Sequence, residues 1–281
     1  MAQVTANGIA IEVETHGGAQ GPAAPEAVLL IRGLGSQLIH WPQALIDGLV
    51  SAGFHVVVFD NRDTGLSEKM DAAPDYRLSD MAADALGVLD ALGIARAHVF
   101  GISMGGMIVQ QLALTASARL LSATIVMSSS LVEGLSERDP VVTAKLLERP
   151  PGARAAYIEH SLAADRFWDN PGFPFDEAQR RALIGRAFDR CHCPDGVARQ
   201  YRAIMASAGW AARLPEIRLP VMVIHGARDR LLPVDHGRDI ATRVPASEWV
   251  EIAGMGHDLD GGVVEVILGH LLPFLARQTE S

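Results

Sequence analysis

"HVFGISMGGMIVQQ", residues His98–Gln111, sets a lone serine between glycines at a change of rhythm. A short apolar run, Val99 to Gly101, stops there, and a helical pattern follows from Ile108. Gly101-Ile102-Ser103-Met104-Gly105 has the form G-x-S-x-G, and it stands where that form carries meaning, between a strand and a helix. So sharp a turn crowds the residues two positions to either side of its centre. Gly101 and Gly105 avoid the Cβ clash, and Gly106 gives further room. Ser103 Oγ is then exposed at the sheet edge, facing the positive end of the next helix. The alternative is a glycine-rich turn with an incidental serine, and the rest of the chain separates the two.

On either side of this turn, short apolar strands alternate with amphipathic helices. Val4 to Glu14 alternates around Asn7-Gly8, a hairpin signal. Ala27–Ile31 and Val56–Phe59 read as strands. Trp41–Ala52 and Leu78–Leu92 read as helices, closed by Gly53 and Gly93. Beyond the serine the pattern predicts a helix over 108–120, a strand over 123–127, and then strand, helix, strand and helix over 221–224, 235–244, 249–252 and 263–275. Such alternation predicts a mostly parallel sheet covered on both faces, with the first hairpin as an antiparallel edge.

From about Leu131 to Ala212 the rhythm breaks into helical patterns and loops with no convincing buried strand. This reads as an insertion at the C-terminal end of a strand, where open α/β sheets bind ligands. The predicted organisation is a core of residues 1–130 and 213–281 with a helical cap, 131–212. The insertion carries eight of the fifteen aromatic residues: Tyr157, Phe167, Trp168, Phe173, Phe175, Phe188, Tyr201 and Trp210. They form either the core of a small helical subdomain or the lining of an apolar pocket beneath a lid, and the two are compatible.

The chain has 281 residues, 49% of them hydrophobic and 20% charged, as ordinary globular proteins do. A net charge of -9 and the lack of a basic cluster make nucleic acid and anionic membranes poor partners. No run reaches about 18 apolar residues, so no membrane span is expected. The N-terminal "MAQVTANGIAIEVE" lacks the form of a signal peptide, and the expected compartment is the cytoplasm. The two cysteines, Cys191 and Cys193, are too close in sequence for a useful disulfide. Cys191-His192-Cys193 suggests a metal site only in isolation, because no second ligand cluster accompanies it. The sequence leaves the oligomeric state open.

A serine nucleophile needs a base, and the base an orienting acid. In "VMVIHGARDRLLP", Asp229 lies just past a strand, and in "EIAGMGHDLD", His257 lies just past the next. The order serine, acid, histidine is that of an elbow-type hydrolase. His225 reads as a packing or turn residue, and Asp258 and Asp260 follow His257 too closely to orient it. An acyl-transfer site also needs oxyanion donors. The N–H of Met104, after the nucleophile, is one. The loop "IRGLGSQ" supplies the other, taken as the Leu34 N–H, with Gly33 permitting an unusual backbone and Arg32 anchoring the loop.

Gly33-Leu34-Gly35-Ser36-Gln37-Leu38 followed by Asp60 half-matches a dinucleotide fingerprint. Leu38 stands where the third glycine belongs, and Asp60 opens the polar turn "DNRDTGLS". Both count against a nicotinamide dehydrogenase.

With "RGLG", Asp60 to Ser67, Gly101 to Gly106, Asp229 and "GMGH", the chain resembles the α/β-hydrolase superfamily along essentially its whole length. "NRDTGLS", "GFPFDEA" and "GMGH" are most similar to the aclacinomycin methylesterase branch. The resemblance implies an eight-stranded, mostly parallel core with a cap between strands six and seven. It implies Ser103 as nucleophile, Asp229 as acid, His257 as base, and oxyanion donors at Leu34 and Met104. Many relatives carry His-Gly where this chain has Arg32-Gly33. The branch acts on methyl esters of bulky polyketides.

The expected activity is cofactor-free and metal-free hydrolysis of a small-molecule ester of a fairly bulky apolar substrate. The same triad also suits a lactone, a carbon–carbon bond beside a carbonyl, or perhydrolysis as in cofactor-free haloperoxidases. A non-catalytic ligand receptor on the same scaffold is the alternative of another class.

Overall fold

A computed structural model describes residues 2–18, 25–70, 75–137 and 139–279. The outer stretches of the predicted division, residues 1, 280 and 281, and residues 19–24, 71–74 and 138 lie outside the described residues. Strands β1 (Ala2–Ala6) and β2 (Ile9–His16) form the expected hairpin about Asn7-Gly8. The chain continues through β3 (Ala27–Ile31), α1 (Gln43–Ser51), β4 (His55–Phe59), α2 (Leu78–Ala91) and β5 (Ala97–Ile102). After the serine come α3 (Met104–Thr115) and β6 (Leu120–Val126). Beyond the insertion lie β7 (Val221–Gly226), α8 (Val234–Arg243), β8 (Glu248–Ile252) and α9 (Val263–Thr279).

The strands form one eight-stranded sheet in the order β1-β2-β4-β3-β5-β6-β7-β8. Only β1–β2 and β2–β4 pair antiparallel. Strands β3, β5 and β7 are buried along their whole length and β6 at every residue but Leu121, as a parallel sheet covered on both faces demands. Alternation along β3 divides the core. Leu29 and Ile31 pack in a cluster with Leu78 and Met81 of α2 and Ile108 of α3. Val28 and Leu30 pack on the other face with Leu45 and Leu49 of α1 and Ile267 and Leu271 of α9. Each such side chain contributes about 1.5–3 kcal/mol relative to exposure.

Element boundaries differ from the sequence pattern most around α3. The helix predicted over 108–120 runs Met104–Thr115, and Leu120 already belongs to β6. Gly105 and Gly106 are weak helix formers and hide the first turn. No glycine or proline marks the far end, where Ala116 leaves helical geometry at φ -141° and ψ 34°.

Among the described residues, four α-helices lie between β6 and β7: α4 (Pro140–Leu147), α5 (Arg154–Asp165), α6 (Glu177–Arg190) and α7 (Pro194–Ala206). Their starts are legible. Pro140 and Pro194 take the first turn of α4 and α7, where a missing N–H costs nothing. The Asp139 and Asp176 carboxylates cap α4 and α6. Ile158, Leu162 and Ile184 form a small core of their own, flanked by Tyr157 and Phe175.

Candidate active site

Ser103 sits between β5 and α3 with φ 53° and ψ -119°, a conformation that costs free energy for a residue with a side chain. The surroundings hold it there. Its N–H donates to Val126 O at 2.9 Å, and its own carbonyl accepts from Ser128 Oγ at 2.8 Å. The flanking glycines are sterically required. A Cβ on Gly101 would stand 2.3 Å from Gly105 O, and one on Gly105 would stand 2.0 Å from Ile31 O.

The three residues picked from strand ends meet. His257 Nε2 lies 2.9 Å from Ser103 Oγ, and His257 Nδ1 lies 2.6 Å from Asp229 Oδ2. The Asp229 side chain is fully buried and that of His257 nearly so. Asp229 Oδ1 accepts from Leu231 N at 2.9 Å and Leu232 N at 2.8 Å, which leaves Oδ2 for the imidazole. Burial alone would raise the Asp229 carboxyl. The His257 charge and hydrogen bonds from His225 and His257 outweigh it and hold the group well below the usual carboxylate range. An ionised Oδ2 requires the proton on Nδ1 and leaves Nε2 to accept from the serine hydroxyl.

Met104 is the first residue of α3, so its N–H has no acceptor inside the helix. Leu34 and Met104 both line the cavity that holds Ser103. The loop differs from expectation in one respect. The left-handed backbone falls on Gly35, at φ 66°, not on Gly33. Gly33 is needed for closeness instead, since its Cβ would stand 3.1 Å from Ser103 Cβ.

The cavity measures about 750 Å³. Of the eight aromatics of the insertion, Tyr157, Trp168 and Tyr201 line it. Trp210 belongs to the main core, where its Nε1–H donates to Gln110 Oε1 at 2.9 Å. Phe188 packs against Tyr157 at a tilt, and Phe175 lies under Arg166. The aromatics therefore divide between the two uses that the sequence left open and a third, the main core, which takes Trp210 and Phe173.

Several residues that shape the site escaped sequence reasoning. His225, read as packing, donates Nε2–H to Leu232 O at 2.8 Å and sits 3.4 Å from Asp229 Oδ2. Its position at a strand end, four residues before Asp229, was the available signal. Asn170 had none. Its Oδ1 accepts from Gly256 N at 2.9 Å and its Nδ2 donates to Asp260 O at 2.8 Å, so it brackets His257. His257 N itself donates to Trp168 O at 2.9 Å. Arg180 of α6 pairs with Asp258, with Asp260 at 2.7 Å and with Asp165 at 3.5 Å. Asp258 and Asp260 are thus engaged by a cation and leave the imidazole to Asp229.

The competing motifs have structural uses. Asp60 accepts from Leu38 N at 2.7 Å and Leu66 N at 2.9 Å and pairs with Arg190, tying three segments together. His192 packs against Tyr157 and Phe188, and Cys191 and Cys193 are free thiols. Among the described residues, no group of three or more His, Cys, Asp or Glu could hold a metal ion. No described helix is long and apolar enough to cross a membrane.

Residues 26–259 match the alpha/beta hydrolase fold family. Rhodomycin D methylesterase DauP of Streptomyces sp. (strain C5) is 33% identical over 267 residues, covering 87% of this chain and 89% of that protein. Putative carbamate hydrolase RutD of Variovorax paradoxus (strain S110) is 33% identical over 266 residues, covering 93% and 96%. The crystal structure of the enol-lactonase from Burkholderia xenovorans LB400 superposes with a TM-score of 0.78 at 23% identity, covering 98% of this chain and all of the other.

Proposed function

The chain belongs to the α/β-hydrolase family, and we propose that it is a serine esterase cleaving the carboxylic ester of a fairly bulky, largely apolar molecule. The observation that carries this reading is the hydrogen-bonded series from Asp229 through His257 to Ser103 Oγ at the wall of a 750 Å³ cavity. That volume suits a drug-sized substrate. The likeness to rhodomycin D methylesterases supports a methyl ester.

In this mechanism Oγ attacks the ester carbonyl while His257 Nε2 takes its proton. Asp229 holds the imidazole tautomer and stabilises the imidazolium. The Met104 and Leu34 N–H groups receive the developing oxyanion, each contributing on the order of 10²–10³ in turnover. His257 then protonates the leaving alkoxide, the alcohol departs, and the acyl-enzyme remains. Water, activated by the same nitrogen, attacks that acyl group and restores the serine. Helices α4 to α7 act as the cap, covering the cavity; α5 and α7 supply Tyr157 and Tyr201 to its wall, and the segment between α5 and α6 supplies Trp168.

Incubation with chromogenic esters of graded acyl size, beside Ser103→Ala, tests the reading. Turnover by the wild type and its loss by on the order of 10⁶ in the variant are expected. Hydrolysis that survives in Ser103→Ala rejects the mechanism. Cleavage of lactones or carbamates alone by the wild type moves the activity to those bonds.

A further inference from the structure

Arg32 follows β3 directly, one residue before the glycine that lies against Ser103, and it lines the same cavity. Its guanidinium stacks on Trp41, 4.8 Å from the ring centroid. Its one hydrogen bond among the described residues is long, 3.4 Å from Nη2 to Ser36 Oγ, and Nε is enclosed without a partner. Burial lowers the group to about 10 against the fields of Asp258 and Asp260, so it remains a cation at neutral pH. It carries more donors than the protein supplies acceptors.

His40 lines the same cavity. Gln37 N–H donates to His40 Nδ1 at 3.0 Å, and Gln37 O, which lies 3.1 Å from the same nitrogen, already accepts from His40 N at 3.0 Å. Nδ1 is therefore unprotonated, and the ring proton sits on Nε2. Burial, assisted by the Arg32 charge, lowers the imidazole to about 3 and keeps it neutral. Its Nε2–H has no partner among the described residues.

Charge distinguishes what these donors await. Arg180 is engaged by Asp165, Asp258 and Asp260, so two guanidinium groups face three carboxylates at this end of the cavity. No positive charge is left over for a ligand anion. What the wall lacks is an acceptor, and an unmet buried donor is costly.

We propose that Arg32 and His40 form a subsite for an uncharged acceptor oxygen, such as a ketone or quinone carbonyl, in the acyl portion of the substrate. This rests on the esterase reading. The subsite selects among esters, whereas Ser103, His257 and Asp229 cleave them.

Nitrophenyl esters of straight-chain acids with a ketone at successive carbons, their methylene analogues and their carboxylate-ended analogues test it. For at least one ketone position the wild type is expected to favour the oxo ester over its methylene partner by about tenfold in kcat/KM, the scale of a hydrogen bond to a charged donor. In Arg32→Met that ratio falls to about one, whatever the overall rate. If Arg32→Met does not melt cooperatively, His40→Phe is scored by the same ratio. Equal rates for every oxo and methylene pair overturn the proposal. So does a ratio unchanged in the variant, or a wild-type preference for the carboxylate series. If the wild type cleaves no ester, the esterase reading fails by itself. Calorimetric binding of the corresponding methyl esters to Ser103→Ala then judges the subsite, with a tenfold oxo preference supporting it and equal affinities rejecting it.

Discussion

Asp229 accepts two backbone N–H bonds on one oxygen and the His257 ring on the other. Replacing it with Asn keeps the volume but offers an amide where the imidazole needs an acceptor. The expected result for Asp229→Asn is a fall in kcat of on the order of 10⁴ with KM little changed, read from steady-state kinetics on a cleaved ester. Gly105→Ala acts through sterics alone. Its methyl would stand 2.0 Å from Ile31 O, a backbone atom that cannot swing away. Destabilisation of about 1–3 kcal/mol or more is expected, measured as a lower midpoint in urea. Ser103, Asp229 and His257 were legible because each follows a strand and their order suits one reaction. Asn170 was not, because it meets Gly256 across 86 residues of sequence and nothing in the local pattern points to that contact.

At the scale of elements, the segment between α5 and α6 is fastened to the loop that carries His257. Trp168 O, both ends of the Asn170 amide and the Gly172–Gly254 pair bind it along its length. This stretch of the insertion therefore holds His257 in place. Asn170→Ala is expected to lower kcat about tenfold on the same ester while KM moves less than threefold, because the imidazole loses its bracket and the cavity keeps its lining. Equal changes in both constants would place Asn170 in substrate binding instead. The core elements were readable from apolar runs and their glycine stops. The ends of α3 were not, since its first turn contains two glycines required by close packing, Gly105 against Ile31 of β3 and Gly106 against Ser128. The four inserted helices showed in the sequence as helical patterns without separate bounds, and their mutual packing depends on contacts that periodicity does not encode.

For the molecule as a whole, the charges between the insertion and the core make stability depend on pH. Burial pushes Asp165 up to about 6, against the attraction of Arg180 and with repulsion from Asp258 and Asp260 nearby, while Trp168 Nε1–H donates to it at 3.2 Å. An unfolded aspartate releases its proton near pH 4. Between pH 4 and 6 the folded chain thus holds a proton that the unfolded chain has lost. Asp165 costs the fold stability increasingly as pH rises through that window. Relative to wild type, Asp165→Asn is expected to gain about 2–3 kcal/mol of stability between pH 4 and pH 7, read from urea unfolding at each pH. A difference independent of pH would contradict the burial assigned to this carboxylate. The mostly parallel sheet, its antiparallel edge hairpin and its two helical layers followed from the alternation of strands and helices, whereas the order of the strands came only with the fold; the motif resemblance agrees with the family match over residues 26–259. The chemistry of the cavity wall did not, because Arg32, His40 and Arg180 gain meaning only from what the fold places around them.

Covalent labelling by an aryl phosphonate ester, followed by intact mass and peptide mapping, tests whether Ser103 is the nucleophile. One equivalent on Ser103, rising in step with the loss of hydrolysis and absent in His257→Gln, is the predicted result. Hydrolysis undiminished when Ser103 is fully modified would contradict it, as would inactivation with Ser103 untouched.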